Sequence, residues 1–218
     1  MAHERGGVMK VFPRVLRPAV VAFVAVMTFA ATSIPAEASG TTVLDAKDGF
    51  SFSLPSGWLQ IPLTGKDVSG LLDAATKADP ALKSTLSNQV QQYVKKGVKV
   101  FAIGPIVRRF ASNVNVIVGP TTGLPSGAAY FDELGVQVKI GLATVGSQNI
   151  VTSKVKFARG TQLQATYSLP TALAKNPAYG VQLYIRHLGH LIVITFTSAT
   201  LANSRLIAHE VESSWVWT

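Results

Sequence analysis

The chain of 218 residues contains no cysteine. This absence excludes disulfides, zinc sites with cysteine ligands, thiol nucleophiles and the lipid-modified cysteine of a bacterial lipoprotein. Charged residues are also scarce, at 14% of the chain, and only 11 of them are acidic. Because 48% of the residues are hydrophobic, the chain can build a sizeable core, and a wholly disordered protein is not expected.

Recognisable catalytic motifs are absent as well. There is no phosphate-binding glycine loop, Walker motif or dinucleotide fingerprint. Ser126 has the wrong glycine spacing for a nucleophile elbow. Asp132 and Glu133 are adjacent on a predicted helix, where neighbours point about 100° apart, so they cannot act as a facing acid/base pair. We therefore expect a protein that is not an enzyme and holds no cofactor.

Histidines offer only an incomplete metal site. His187 and His190 flank a predicted turn and could supply two ligands, while His209 lies in the last predicted helix. No aspartate or glutamate occurs between Glu133 and Glu210, so a third ligand would have to come from a distant part of the chain. We expect no metal site and two solvated imidazoles at the turn.

The N-terminus has the three parts of a secretory signal peptide. A basic region precedes an apolar run from Ala19 to Ala31, and Ala36 and Ala38 provide a small-x-small cleavage site. We expect residues 1–38 to be a signal peptide and residues 39–218 to form a single domain. The alternative is an uncleaved membrane anchor, for which the run is short, because a spanning helix needs about 20 residues. The basic residues are Arg5, Lys10, Arg14 and Arg17.

The segment from Phe50 to Trp58 is the most distinctive strand signal. Phe50, Phe52 and Leu54 alternate with serines, which predicts a strand with one buried face. Pro55 and Gly57 should end the strand and turn Trp58 back against its own sheet. Further strands are predicted at residues 41–44, 98–103, 114–118, 151–157, 163–169, 181–185 and 191–198.

Four helices are predicted from apolar residues that recur at helical spacing. The first covers 68–75, and the second runs from Leu82 to Tyr93 and ends at Gly97. The third covers 131–145, with Ser126 as its N-cap and Gly146 as its stop. The fourth begins after an N-cap at Thr200 and places Ile207, Val211 and Trp215 on one face.

The order of elements favours an α+β fold. Consecutive hairpins predict a mainly antiparallel sheet, and the spread of helices along the chain is enough to cover both faces. The Leu54-Pro-x-Gly-Trp58 corner, the hairpins and the terminal helix ending in Ser213-Ser214-Trp215 resemble the PsbP-like fold, an α/β/α sandwich shared with DcrB-type and LpqN-type exported proteins. The resemblance implies an accessory protein that is not an enzyme, and burial of Trp58 and Trp215. It carries over no functional residue.

Positive charge is concentrated in the middle of the chain. Between Pro80 and His209 there are 13 basic residues and two acidic ones, within a chain of net charge +9. Aromatic residues are not interleaved with these charges, so nucleic acid is not the expected partner. The expected partner is an anionic envelope lipid or wall polymer, or an envelope protein. The candidate binding residues surround one predicted strand: Lys95, Lys96, Lys99, Arg108 and Arg109.

Two functional interpretations remain open from the sequence. The first is an exported, non-catalytic binding or accessory protein of the cell envelope. The second is a secreted small-ligand carrier or an enzyme with an unrecognised site, which an enclosed pocket with converging polar groups would support. For the basic residues themselves, the alternative is a soluble cationic surface without a ligand.

Overall fold

The structure is a computed structural model that describes residues 40–63, 90–107, 110–122, 124, 127–157, 160–170 and 177–218. The predicted signal peptide and the predicted helix at 68–75 lie outside the described residues. Of the second predicted helix only the end is described: residues 90–95 are helical and Gly97, with φ +73°, follows them. Among the described residues, no helix has both the length and the apolar character needed to cross a bilayer.

A sheet of seven antiparallel strands forms the centre of the molecule, in the order β3-β4-β5-β9-β8-β7-β6. Alternating apolar residues and hairpin turns predict most of these strands, but the strands extend one to four residues beyond the predicted bounds at one or both ends. They are β3 (Leu59–Gln60), β4 (Val98–Val107), β5 (Phe110–Pro120), β6 (Gln148–Phe157), β7 (Gly160–Leu169), β8 (Ala178–His187) and β9 (His190–Ser198).

A second, three-stranded sheet is separate from the first. It contains β1 (Thr42–Asp45), β2 (Phe50–Ser53) and β10 (Val216–Trp217), in the order β1-β2-β10. The strand that begins at Phe50 therefore belongs to this small sheet, and the C-terminal end of the chain returns to pair with it. Neither β3 nor β10, each two residues long, was predicted, because so short a strand has no measurable alternation.

The residues at the ends of two described helices explain where these helices begin or end. Helix α1 (Tyr130–Thr144) follows a 3₁₀ turn (Gly127–Ala129), and Gly146, whose φ is +84°, comes directly after its C-cap Val145. The residue at the N-cap of α1 is Ala129, and the predicted cap Ser126 lies outside the described residues. Helix α2 (Leu201–Ser214) begins at Thr200, whose Oγ1 accepts a hydrogen bond from the Asn203 N–H at 3.1 Å. This confirms the predicted cap.

One face of the large sheet is covered by α2 and the small sheet. A continuous apolar cluster fills this layer, and it contains Trp58, Trp215 and alternate residues of the middle strands. Trp58 and Trp215 are 5% and 8% exposed, as predicted. The opposite face carries two apolar clusters, one beneath α1 and one beneath helical residues 90–95. The α+β class with helices on both faces of a mainly antiparallel sheet is therefore confirmed.

The position of Trp58 differs from the prediction. Its ring lies over Gly104 of β4, and a Cβ added at Gly104 would be 2.7 Å from Trp58 Cε2. Trp58 therefore packs on the large sheet, across the core from the strand that precedes it. Gly104 has no side chain, so the indole ring can lie directly on the backbone of β4 at this point.

Candidate functional site

The predicted basic site begins at the end of the helical segment 90–95. Lys95 is exposed, and Lys96 follows it in the turn before Gly97. Partial burial lowers the pKa of Lys96 from its ordinary value. Cations at this position also complement the partial negative charge at the C-terminal end of a helix. Part of the local charge thus has a structural explanation.

Lys99 is already engaged by an acidic side chain. Its Nζ lies 3.3 Å from Oδ2 of Asp48, whose side chain is 6% exposed while that of Lys99 is 34% exposed. Asp48 lies in the turn between β1 and β2, and its N–H donates to Asp45 Oδ1. The ion pair joins the small sheet to the start of β4. It also reduces the charge that Lys99 can offer to a partner.

Arg108 and Arg109 lie outside the described residues, between Val107 and Phe110 in sequence. Lys99 is the second residue of β4 and Val107 is the last. Eight residues of extended strand span about 26 Å. A binding surface that contains all five predicted residues would therefore be elongated, and its existence stays a prediction.

The predicted histidine turn has a different environment from the expected one. The ring of His187 stacks on Trp217, with 3.7 Å between ring centroids and 14° between the planes. His190 is exposed and lies opposite His187 in the β8–β9 ladder. His187 is thus half-buried against the C-terminal strand. Within the described part of the chain, no group of three potential ligands could hold a metal ion.

The most unusual site is a set of polar side chains buried at the middle of the large sheet, here called the polar seam. All its members have 0% exposure and occupy three adjacent strands, β5, β9 and β8. They lie on the face that carries the two separate apolar clusters. The members are Asn113, Asn115, Gln182, Thr195 and Thr197.

The strand register brings the seam residues side by side. Thr195 lies directly between Asn115 of β5 and Gln182 of β8. Thr197 lies directly opposite Asn113 in the next row of that face. Residues opposite each other in an antiparallel pair have Cβ atoms about 5 Å apart, so the seam is one contiguous patch.

In one half of the seam, formed by Gln182 and Thr195, the polar side-chain atoms have hydrogen-bond partners. Gln182 Nε2 donates to Thr195 Oγ1 at 3.3 Å. Gln182 Oε1 accepts from the hydroxyl of Tyr184 at 2.5 Å. The amide of Gln182 is therefore held in one orientation, with donor and acceptor both assigned.

The other half contains polar atoms for which no hydrogen-bond partner exists among the described residues. These atoms are both polar atoms of the Asn115 amide, the Thr197 hydroxyl and the Tyr93 hydroxyl. Tyr93 belongs to the helical segment 90–95 and is 1% exposed. A buried polar group without a partner costs about 1–3 kcal/mol, so the burial of these atoms by itself lowers the stability of the fold.

Three tyrosine hydroxyls converge near the seam. Burial raises the pKa of Tyr167 well above its ordinary value, and the proximity of Tyr184 and Tyr93 raises it further, while Gln182 opposes the shift. Burial also raises the pKa values of Tyr93 and Tyr184. All three phenols therefore stay neutral near pH 7. They approach the seam from both apolar clusters, since Tyr93 belongs to one and Tyr167 and Tyr184 to the other.

A groove lies on the other face of the sheet, between α2 and strands β6, β7 and β8. It has a volume of about 220 Å³. Its charged and titratable lining comes from Lys156, Arg205, His209 and Glu212. His209 Nδ1 and Glu212 Oε2 are 4.0 Å apart, and both groups are partly exposed. A groove lined by charged, partly exposed side chains is an ordinary feature of a solvated protein surface.

The acidic pair of α1 is also an ordinary surface feature. Asp132 Oδ1 lies 3.3 Å from Lys154 Nζ, and both side chains are more than half exposed. Lys154 is in addition 5.7 Å from the ring centroid of Phe131. The first turn of a helix favours carboxylates, so both acids have a structural explanation.

In the sequence, Asn113 and Asn115 are recognisable only as residues that alternate with valines. The signal for the seam was present in β5 and β9, each of which has two polar residues at alternate positions in a strand that lies in the middle of a sheet. Thr195 and Thr197 flank Phe196, and Gln182 lies between Val181 and Leu183. Alternation normally marks a solvated face, and only the burial of these residues in the structure shows that the face is covered.

Comparison with known proteins gives likeness of fold only. No family model matches the chain, and no curated protein sequence matches it. Among solved structures, cyanobacterial PsbP (CyanoP) from Synechocystis is 18% identical, with a TM-score of 0.46, and the match covers 87% of this chain and 98% of that one. CyanoP is a PsbP protein, and the PsbP-like fold is the one that the sequence resembles.

Two further structures are similar to a comparable extent. LpqN of Mycobacterium tuberculosis, described as involved in cell envelope biogenesis, is 9% identical with a TM-score of 0.43, over 86% of this chain and 90% of that one. The Ran-binding protein Mog1p of Saccharomyces cerevisiae is 8% identical with a TM-score of 0.47, over 82% and 95%. At these identities no activity or partner is transferred to this chain.

Proposed function

We propose that the protein is exported and acts in the cell envelope as a non-catalytic binding or accessory protein, which adsorbs to an anionic lipid surface or wall polymer. The N-terminal pattern of basic residues, apolar run and small-x-small site supports export. The excess of basic residues in the middle of the chain supports an anionic partner.

The observation that carries the proposal is the clustering of lysines where the helical segment 90–95 meets β4. Lys95 is exposed, and Lys96 and Lys99 follow within four residues. Lys47, next to the turn residue that pairs with Lys99, is exposed as well. Each basic residue close to an anionic surface contributes about 1 kcal/mol, and the attraction fades beyond about 8 Å at physiological salt. The resulting adsorption is weak and sensitive to salt.

Sedimentation with lipid vesicles tests this function. The chain from Ser39 should sediment with anionic vesicles at low salt, and much less with neutral vesicles or at high salt. Replacement of Lys95, Lys96 and Lys99 by glutamine should weaken sedimentation. The melting temperature should fall only through Lys99, because its removal leaves the buried Asp48 carboxylate without its partner, whereas exposed charges contribute little to stability.

A control variant separates a local site from general cationic charge. Lys139, Lys156 and Arg205 are exposed residues on α1, β6 and α2, and replacing all three by glutamine removes the same charge elsewhere. This variant should retain most of the sedimentation. Equal losses in the two variants, or equal binding to neutral and anionic vesicles, would refute a site at Lys95, Lys96 and Lys99.

A further inference from the structure

The groove between α2 and strands β6, β7 and β8 combines a charged rim with an apolar floor. Its volume of about 220 Å³ is many times the roughly 10–15 Å³ that one water molecule needs. Charged side chains by themselves are ordinary in a surface groove, but here opposite charges stand at the two ends of one apolar floor. We propose that this groove binds a short peptide with free termini, in an extended conformation. The floor is formed by Val155, Phe157, Leu183 and Ala208.

Helix α2 runs along the groove from the start of β8 towards the end of β6. Near the beginning of the helix, Ser204 Oγ donates a hydrogen bond to the carbonyl of Tyr179 at 2.8 Å. Just after its end, the ring centroid of Trp215 is 5.5 Å from that of Phe157. Tyr179 is the second residue of β8 and Phe157 is the last residue of β6. Residues near the two ends of α2 therefore lie at opposite ends of the groove.

Arg205 and Glu212 are the charged residues that α2 places at these two ends. Both line the groove, and seven residues of helix separate their Cα atoms by about 10.5 Å. Arg205 is exposed and makes no ion pair or hydrogen bond with any described residue. The half-buried carboxylate of Glu212 lies 4.0 Å from His209 Nδ1, and this pair is charged only when His209 is protonated. The groove thus offers one cation and one anion for pairing with a ligand.

The stability of the helix does not explain this order of charges. Glu212 lies in the last turn of α2, where the partial negative charge of the helix end disfavours a carboxylate. Arg205 lies in the N-terminal half, so the two charges are in the reverse of the order that the helix favours. A ligand that carries both charges gives this order a role, because its carboxylate pairs with Arg205 and its ammonium group with Glu212.

The separation of Arg205 and Glu212 selects a peptide over a single amino acid. A free amino acid carries its ammonium and carboxylate groups on the same carbon atom, so it cannot reach both ends of the groove. An extended chain gains about 3.3–3.6 Å with each residue, so two or three residues place its termini about 7–10 Å apart. The planar guanidinium group of arginine can bind a terminal carboxylate through two parallel hydrogen bonds.

The floor of the groove suits the middle of such a peptide. Val155 and Leu183 provide apolar surface on which a side chain of the peptide can pack. Gln164 of β7 lies beside Leu183 of β8 in the ladder and is half-buried in the groove. Its amide can donate and accept hydrogen bonds, as a peptide group requires. Apolar contact with a few polar groups is the usual composition of a small-ligand site.

The test is calorimetric titration of the chain from Ser39 with two tripeptides, alanyl-leucyl-alanine and alanyl-phenylalanyl-alanine. Each is compared with its N-acetylated form and its C-amidated form, which lack one terminal charge each. We expect at least one unmodified tripeptide to bind, and each modified form to bind about fivefold more weakly or less, as expected for a lost, partly exposed ion pair. Binding should also shift the backbone amide signals of Gln164 and Leu183 in nuclear magnetic resonance.

Matched substitutions assign each terminus to its partner. Arg205→Gln should weaken binding of the unmodified peptide but not of the amidated one, which has no carboxylate to lose. Glu212→Gln should weaken binding of the unmodified peptide but not of the acetylated one. The controls are Glu210→Gln, on the opposite side of α2, and Arg186→Gln, whose side chain lies over the ring of Tyr130 on the other face of the sheet. Both controls should leave the affinity unchanged.

Three outcomes would overturn the proposal. The first is that neither tripeptide binds at concentrations up to about 10 mM, beyond which the affinity is too weak for a specific site. The second is equal affinity for the unmodified, acetylated and amidated forms, which would show that the termini are not recognised. The third is unchanged affinity in both Arg205→Gln and Glu212→Gln, which would place the peptide elsewhere. The result is independent of vesicle adsorption, because the groove and the proposed lysine site share no residue.

Discussion

The ring of Tyr167 lies over Gly180, its direct partner across the β7–β8 ladder. A Cβ added at Gly180 would be only 2.5 Å from Tyr167 Oη and would also clash with the ring. Tyr167 is 2% exposed and its hydroxyl approaches Tyr93 and Tyr184. The missing side chain at residue 180 therefore allows Tyr167 to form one wall of the polar seam.

The first prediction is that Gly180→Ala destabilises the protein by about 1–3 kcal/mol, the usual cost of forcing extra volume into a packed core. Urea denaturation measures the change. The control is Gly119→Ala in β5, because a Cβ at that position has no atom within 4 Å and the φ angle of Gly119 is not positive. Equal stability of Gly180→Ala and the original protein would mean that Tyr167 moves aside without cost.

The local parts of this fold could be predicted from the sequence. Alternating side chains predicted most strands of the large sheet, and Thr200 and Gly146 marked a helix start and a helix end that the structure confirms. These features depend on residues close together in the chain. The assignment of the Phe50 strand to a small separate sheet was not predictable, because it depends on pairing with Val216 and Trp217, more than 160 residues away.

The polar seam could not be predicted for a related reason. The polar alternation in β5 and β9 looks the same whether the face is solvated or covered. Only the strand order, with β9 between β5 and β8, shows that Asn115, Thr195 and Gln182 lie in one buried row. The predicted basic site illustrates the opposite case. Its five residues are close together in the sequence, but they flank the two ends of one strand, and the two ends of an extended strand are far apart in space.

The second prediction concerns Trp215, which joins the end of α2 to the small sheet. Its ring is stacked on Phe50 and Phe52, with centroids 4.9 and 5.3 Å apart. Trp215→Ala should destabilise the protein by about 3–5 kcal/mol, because it removes the stacking and leaves a cavity.

Trp215→Phe is the matched variant and should cost much less. It retains an aromatic ring, and it removes an indole N–H that has no hydrogen-bond partner among the described residues. Guanidinium denaturation of both variants provides the comparison. Similar losses for alanine and phenylalanine would show that the stacking with Phe50 and Phe52 contributes little.

The third prediction is a stabilising substitution at the β8–β9 turn. Leu188 has φ +44° and Gly189 has φ +79°, the pattern of a type I′ hairpin turn. Leucine is strained in this region of backbone space, whereas asparagine tolerates it, and Leu188 is 76% exposed, so no packing is lost. Leu188→Asn should therefore raise stability by about 1 kcal/mol and increase the melting temperature.

Leu206→Asn is the control for this turn variant. Leu206 is 54% exposed in α2 and has an ordinary helical backbone, where asparagine is less favourable than leucine. The control should lower the melting temperature slightly. If Leu188→Asn also lowers it, the left-handed conformation of residue 188 is not a source of strain.

The last prediction concerns the pH dependence of His187. Partial burial lowers its pKa below the ordinary value of 6.5, and the neighbouring His190 lowers it further. Since the folded protein then binds the proton less readily than the unfolded chain, the contribution of His187 to stability is present above pH 6.5 and is lost as the pH falls below that value. A His187→Gln variant should show a weaker loss of stability over the same range.

Stacking on Trp217 acts in the opposite direction, because an aromatic face attracts a protonated imidazole. Nuclear magnetic resonance titration of His187 decides which effect is larger. We expect a pKa below 6.5 that rises in His190→Gln, and no change in the control His209→Gln, whose histidine lies in α2 beside Glu212. A measured pKa above 6.5 would mean that attraction to the Trp217 ring outweighs burial and the repulsion from His190, and stability would then increase as the pH falls towards 6.5.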